Sequence, residues 1–350
     1  MNEAAIKRFP LRLDTRDGAV DMSHGSGGRA MAQLIEELFH HHLDNPLLRE
    51  GNDQAAFMPP PGRLVMSTDG HVISPLFFPG GDIGSLAVHG TLNDVAMAGA
   101  QPLYLSAGFI LEEGFPLSDL ERIVMSMGEA SRRAGVPVVT GDTKVVERGK
   151  GDGVFITTTG VGVVPAGVNV SGDRARPGDA ILVSGSMGDH GVAIMSRREN
   201  LAFETAVESD SAALHGMVAA MIAAVPDIHC LRDPTRGGLA TTLNELAQQS
   251  GVGMLLREGN IPVRPPVAAA CELLGLDPLY AANEGKLICI CAPEHADTLL
   301  AVMRADPLGR NAAQVGEVIE DRHGFVRMET TFGGTRVVDW LAGEQLPRIC

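Results

Sequence analysis

The run from Pro165 to Asp179 holds Pro165, Gly167, Gly172, Pro177 and Gly178 and follows neither the two-residue nor the 3.6-residue apolar period. Such a run continues neither a strand nor a helix, so it divides the chain. Before it, the pattern predicts a helix over 30–41, strands over 64–73, 103–111, 136–140 and 154–164, and a helix from an Asp82 N-cap to about Ala98. Ser118 with Glu121 reads as a capping box opening a helix that ends near Gly135. After it, strands are expected over 180–184, 252–257, 286–291 and 313–319, and helices over 187–198, 209–224 and 236–250. No G-x-G-x-x-G fingerprint or Rossmann spacing is present, which favours two α+β domains, 1–165 and 179–332, followed by a mobile tail, 333–350.

A chain of 350 residues is long enough for two such domains, and with only 4% aromatic residues their cores must be aliphatic. A formal net charge of −15 argues against attraction to nucleic acid or anionic lipid. No apolar run reaches the length of a membrane span, and Met1 to Asp21 lacks the apolar centre of a secretory signal. A cytoplasmic protein is expected.

Cys230, Cys271, Cys289 and Cys291 form no C-x-x-C pair and read as inert core thiols of a reducing compartment. Cys350 is different, because the sequence stops on it. A terminal thiol is a nucleophile on a tether. About seven extended residues span roughly 24 Å, enough to reach the chain's own site or a partner.

Four aspartates sit beside Gly, Asn or Thr at expected element ends: Asp53, Asp69, Asp94 and Asp142. A carboxylate in an otherwise apolar helix, as Asp94 is, costs free energy if it faces the core unpaired, and a metal removes that cost. Several aspartates suit magnesium, which takes one or two carboxylates and keeps waters. Lys144 follows Asp142 and Thr143 and suits a phosphate or a developing negative charge. His89 and Asn93 share a helix face. Gly25, Gly27 and Gly28 lie in a Gly/Ser loop able to present N–H groups to phosphate, although it is no Walker motif. In the second half, Asp233 and Arg236 precede a helix, and Glu284 precedes a strand.

These motifs together resemble the ATP-using superfamily of aminoimidazole ribonucleotide synthetase, selenophosphate synthetase and thiamine-monophosphate kinase. The matching pieces are Asp53 in Gly51-Asn52-Asp53-Gln54, Ser67-Thr68-Asp69, Leu92-Asn93-Asp94-Val95, and Asp233-Pro234-Thr235-Arg236-Gly237-Gly238. Ser23 to Arg29, Gly141-Asp142-Thr143-Lys144, Asn283-Glu284-Gly285-Lys286 and Pro347-Arg348-Ile349-Cys350 are similar to the hydrogenase-maturation branch of that superfamily. The resemblance implies a first domain that dimerises through its sheet, with ATP near the dimer interface, and a second α/β domain. It also implies ATP-dependent dehydration of an S-carbamoyl group on Cys350 to a thiocyanate, which supplies cyanide to the iron of [NiFe]-hydrogenase. The partners would be the HypF carbamoyltransferase, the HypC–HypD iron scaffold and a second copy of the chain. Asp53, Asp69, Asp94 and Asp233 would hold Mg²⁺. Asn93, Asp142, Thr143, Arg236 and the loop glycines would help bind ATP. Lys144, Glu284 and His89 would serve the chemistry at Cys350. Two alternatives remain open: a small-molecule kinase or synthetase of the same superfamily, which has no need of Cys350, and a nucleotide-binding assembly module whose tail docks a partner.

Overall fold

The computed structural model describes residues 9, 11–199, 207–343 and 348–350. In the first half, β1 (Arg63–His71), β2 (Gln101–Glu112), β3 (Val138–Val146) and β4 (Val154–Val164) form one sheet in the order β1-β4-β2-β3. The β2–β3 pair is parallel and the other two are antiparallel. Odd-numbered residues of β1 turn inward, toward α1 (Ile83–Met97), and even-numbered ones turn outward.

Helix α1 is apolar nearly all round, as a helix buried on several sides must be. Asp82 caps it, accepting from the amides of Gly84 (2.8 Å) and Ser85 (3.0 Å). Gly84 lets it approach α2 (Leu117–Ala134) closely, since a Cβ there would lie 2.2 Å from the Ile123 carbonyl oxygen. Buried Thr158 of β4 fastens α1 to the sheet, donating to the Ala87 carbonyl at 2.9 Å. The Ser118 capping box does not form. Helix α2 begins at Leu117, which places Ser118 inside the first turn, and Pro116 holds the cap position without a side-chain bond.

The outer face of this sheet is uncovered. Gly70, Thr157, Gly108 and Asp142 stand in one row across all four strands. Leu64 and Met66 on the same face are 56% and 74% exposed.

The second half is built on a seven-stranded sheet. Its strands are β5 (Ala180–Val183), β6 (Cys230–Arg232), β7 (Gly253–Arg257), β8 (Ile288–Cys291), β9 (Ala313–Ile319), β10 (Val326–Glu329) and β11 (Thr335–Val337). Their order is β11-β10-β7-β9-β5-β8-β6. Helices α3 (Asp189–Arg198), α4 (His215–Ala224), α5 (Gly238–Ser250), α6 (Pro265–Leu274) and α7 (Ala296–Ala305) accompany it. Cys289 and Cys291 face one apolar core of this sheet, while Cys230 faces another. All four internal cysteines are buried, as expected.

Two departures from expectation matter for the site. The helix expected over 209–224 begins only at His215, because the segment before it is tied to the first half. There, the Ser209 amide donates to Pro79 and the Leu214 amide donates to the Asn93 side chain, both at 2.8 Å. The expected tail also begins in order: β11 pairs with β10, and the Val338 amide donates to Val326 at 2.8 Å. Of the tail, residues 344–347, including Pro347, lie outside the described residues. The last three residues are docked. Val72 and Ser74 donate their amides to the carbonyls of Cys350 (3.1 Å) and Arg348 (3.2 Å), and Ile349 is 2% exposed within the first core.

Asn93 uses both amide hydrogens on the second half, donating to Ala212 (3.0 Å) and Glu284 (3.2 Å), besides accepting from Leu214. Asn93→Ala is expected to cost about 2–4 kcal/mol, three buried backbone groups losing their partner. Urea denaturation with an unchanged m-value checks this.

Candidate active site

Four loops and element ends converge where the two halves meet. Strand β1 supplies Asp69 and His71 from its inward face, and α1 supplies Asp94 from within an apolar stretch. The loop after β6 supplies Asp233 and Arg236, and the loop before β8 supplies Glu284. A Cβ built on Gly90 would lie 3.3 Å from Asp69 Oδ2, 3.3 Å from His71 Cε1 and 3.9 Å from Glu284 Oε2. The missing side chain of Gly90 therefore leaves the space in which these groups meet.

The acids outnumber the cations beside them. Burial pushes the Asp69 carboxyl above its ordinary range, against the attraction of Arg236. Burial also raises Asp94, opposed by the hydroxyl of Ser67, which donates to it at 2.7 Å, and assisted by the charge of Asp69. Asp233 is pushed up to about 7, first by burial and then by Asp94. Glu284 is held well above the carboxylate range by burial and then by Asp233, Asp210, Asp69 and Asp94. Its Oε1 is buried without a hydrogen-bond partner, as is Nδ1 of His71. Burial and then Arg236 bring His71 down to about 4, so its imidazole is neutral.

The Cys350 thiol lies in this field. Burial and then Glu284 push it up to about 12, with Arg236 opposing and Asp69 adding. One cavity is lined by Cys350, Ile349, Arg236 and Gly237. A second is lined by Ser67, Asp94, Arg232 and Asp233. The single loop 232–237 thus borders both, with the carboxylates beside it.

The sequence singles out Cys350, Glu284, Asp69, Asp94, Asp233 and Arg236, and the fold brings these together. It does not bring the others. Asp53 is exposed in the loop before β1 and is not among the carboxylates acting on Asp94 and Asp233. Among the described residues, no three His, Cys, Asp or Glu side chains are gathered into a ready-made metal cage. Asn93 binds backbone with every polar atom it has, which leaves it none for a nucleotide. His89 is fastened to Ser211 at 2.9 Å and brought down to about 4 by burial, then by Arg133 and His215. It is a neutral clip on the 208–214 segment, not a member of the acid cluster.

Lys144 pairs with Asp142 at 2.5 Å on the outer face of edge strand β3, opposite the face that carries Asp69. Within one chain it does not meet the thiol. Thr143 is buried on the inner face. Gly25 packs the Gly/Ser loop onto β3, where a Cβ would lie 2.9 Å from Val145 N, and Gly27 takes φ +76°. Gly28 caps the helix that follows. His71 escaped sequence reasoning, because a histidine ending a strand reads as an ordinary core residue.

Fold and site define the class. The model for the AIR synthase related protein N-terminal domain matches residues 51–164, and that for its C-terminal domain matches 176–329. A carbamoyl dehydratase HypE of Azotobacter vinelandii is 74% identical over 339 residues, covering 97% of this chain and 99% of the relative. A crystal structure of hydrogenase maturation protein HypE in complex with ATP superposes with a TM-score of 0.91 at 57% identity, covering 94% of this chain and 99% of that one. A HypE–HypF complex matches with a TM-score of 0.78 at 47% identity, covering 88% and 99%. The chain belongs to the HypE carbamoyl dehydratases, a branch of the AIR synthase related proteins.

The raised carboxyls have a stability signature. A folded-state pKa above the unfolded value contributes stability that is complete below the unfolded pKa and lost as pH rises through the folded one. For Asp233 that window runs from 3.8 to about 7. Asp233→Asn should therefore gain stability over the wild type at pH 8, by up to about 4 kcal/mol, and show no gain at pH 4. Thermal melts across that range, without nucleotide or metal, read the difference.

Proposed function

We propose that this chain dehydrates an S-carbamoyl group on its own Cys350 to a thiocyanate at the expense of ATP, supplying cyanide for the iron of a [NiFe]-hydrogenase. The observation that carries this reading is the docked terminus: the thiol sits beside a buried, unpartnered carboxyl, in a cavity sharing one loop with an acid-lined cavity open to a nucleotide. The relatives' activity, the ATP complex and the HypF complex support it.

Oxide is a poor leaving group and phosphate a good one. In the first step the carbamoyl oxygen takes the γ-phosphoryl group of ATP, the C–O–P bond forms, and one N–H proton leaves as C=N forms. In the second, the C–O bond breaks, phosphate departs, and the remaining N–H proton leaves as C≡N forms. ADP and phosphate are the other products. Glu284 is the base for the nitrogen protons. Burial and the neighbouring acids favour its protonated form, so it acts as a base only after giving up that proton, when a buried carboxylate is a strong base. Arg236 lies where it can balance negative charge beside the thiol.

Asp69, Asp94 and Asp233 fit Mg²⁺: the donors are hard oxygens, and burial together with the charge of Asp69 on Asp94 and of Asp94 on Asp233, which raises these carboxyls, is what a dication offsets. When bound, the ion would offset the charge of the triphosphate. Asp142 and Lys144 serve the nucleotide only if the outer sheet face pairs with a second copy, which its exposed Leu64 and Met66 favour, whereas Thr143 and the Gly25–Gly28 loop packed against Val145 would serve it from the inner side of β3. HypF loads the carbamoyl group, and a HypC–HypD complex receives the cyanide. The division into an ATP-binding domain 1–165, a second domain 179–332 and a carrier tail 333–350 belongs to the same reading.

Glu284→Gln should accept one carbamoyl group from HypF but lose dehydration by at least a hundredfold. Intact mass after incubation with HypF, carbamoyl phosphate and ATP separates the states, because wild type then loses one water. Normal cyanation by the variant would remove Glu284 from its role. Met66→Asp should convert a dimer to a monomer, read by sedimentation.

A further inference from the structure

Besides Val72 and Ser74, one helix grips the terminus. His190, on the first turn of α3 and fully buried, donates from Nε2 to the Ile349 carbonyl at 2.7 Å. A carbonyl can only accept, so Nε2 carries the hydrogen and Nδ1 must accept. It does so from the Ser209 hydroxyl at 2.8 Å, whose oxygen accepts from the Ser211 amide at 3.1 Å. The relay sets a single tautomer. At the other end of α3, Arg198 donates to the Arg348 carbonyl at 2.9 Å and to the Ser74 carbonyl at 3.0 Å. With the Val72 amide on Cys350, the last three carbonyls of the chain are all held.

We propose that His190 is the positioning residue for the carrier cysteine. The Ile349 carbonyl belongs to the peptide plane that joins Ile349 to Cys350. Fixing that plane, with the Cys350 carbonyl held on Val72, leaves χ1 as the thiol's only free torsion and turns the sulfur toward Glu284 and Arg236. His190 touches no reacting atom; it acts through the backbone, so it holds the tail whatever group the sulfur carries. The Ile349 side chain and the pairing of Arg348 with Asp152 add anchorage, but neither fixes the last peptide plane.

This inference rests on the proposed reaction for its catalytic consequence, but not for its first test. Iodoacetamide is applied to the purified full-length protein without ATP or partner, and uptake at Cys350 is followed by intact mass and peptide mapping; the other four cysteines are buried. His190→Ala should raise the Cys350 alkylation rate about tenfold, the loss of one buried hydrogen bond. His190→Gln, whose amide can donate in place of Nε2, should return it to within about twofold of wild type. Ser209→Ala, which frees the tautomer, should give a smaller rise and decides the matter if His190→Ala does not fold. Unchanged alkylation in the folded variants overturns the proposal. In single turnover after HypF loading, His190→Ala should slow dehydration about tenfold while loading is not slowed, and His190→Gln should rescue it; faster alkylation with unchanged dehydration overturns the positioning role. If wild type forms no thiocyanate, the proposed function fails, and the alkylation result stands by itself.

Discussion

A primary amide offers two hydrogens and one oxygen, and Asn93 places all three on backbone of the other half of the chain. Helix α1 is itself fixed to the first sheet through Thr158 and Thr91, whose hydroxyls lie 2.6 Å apart. The position of that sheet is thereby passed to the loop carrying Glu284. Asp210 completes the hold, accepting from the Glu284 amide and from Lys286 Nζ, each at 3.0 Å. Gly285 is needed there, since a Cβ would lie 1.8 Å from the Asp210 carbonyl oxygen. Glu284 thus has both backbone polar groups tied down, and only its carboxyl is left without a partner. That is how a costly group stays where it is: the framework that orders it is paired elsewhere.

The same framework explains why the site stores electrostatic tension. Asp69, Asp94, Asp233 and Glu284 are drawn together by elements from both halves, with Arg232 and Arg236 as the cations acting on them. In such surroundings protons replace the missing counter-charge, and the carboxyls that titrate last are those buried deepest. Any cation or phosphate complex entering from the Asp94–Asp233 side changes the proton affinity of Glu284 without touching it. On the proposed reaction, a base whose proton affinity falls once the site is filled would limit wasteful turnover.

Much of this was legible in the sequence. The aperiodic run at 165–179 separates the two sheets, the Asp82 cap forms as read, and the Asp233–Arg236 and Asn283–Lys286 loops meet at the site. The errors share a cause, which is that local pattern does not see across the molecule. Residues 209–214 carry a helical pattern yet form no regular helix, because Asn93 and Pro79 take backbone groups of Leu214 and Ser209. Lys144 lies two residues after Asp142, so strand alternation puts both on one face; which face was hidden, because it depends on a register shift between Leu105 and Ser106. His190 and His71 look like core histidines in sequence. The partners that give them meaning, the Ile349 carbonyl and the acid cluster, are 159 residues away for the one and on other elements for the other.

The thiol's proton affinity argues an order of events on the proposed reaction. At about 12, the docked sulfur is a neutral thiol at pH 7. A carbamoyl donor needs the thiolate, so loading is disfavoured inside and belongs to a released tail, where burial and Glu284 no longer act. Once carbamoylated, the sulfur has no proton to lose, and the penalty for burying it beside carboxyls disappears. The contacts that seat the tail are made to the carbonyls of Arg348, Ile349 and Cys350, which loading does not alter. The loaded terminus can therefore return to the same seat as the free one and lie there at less electrostatic cost than a thiolate would. Discrimination against a deprotonated tail then comes from charge, not from shape.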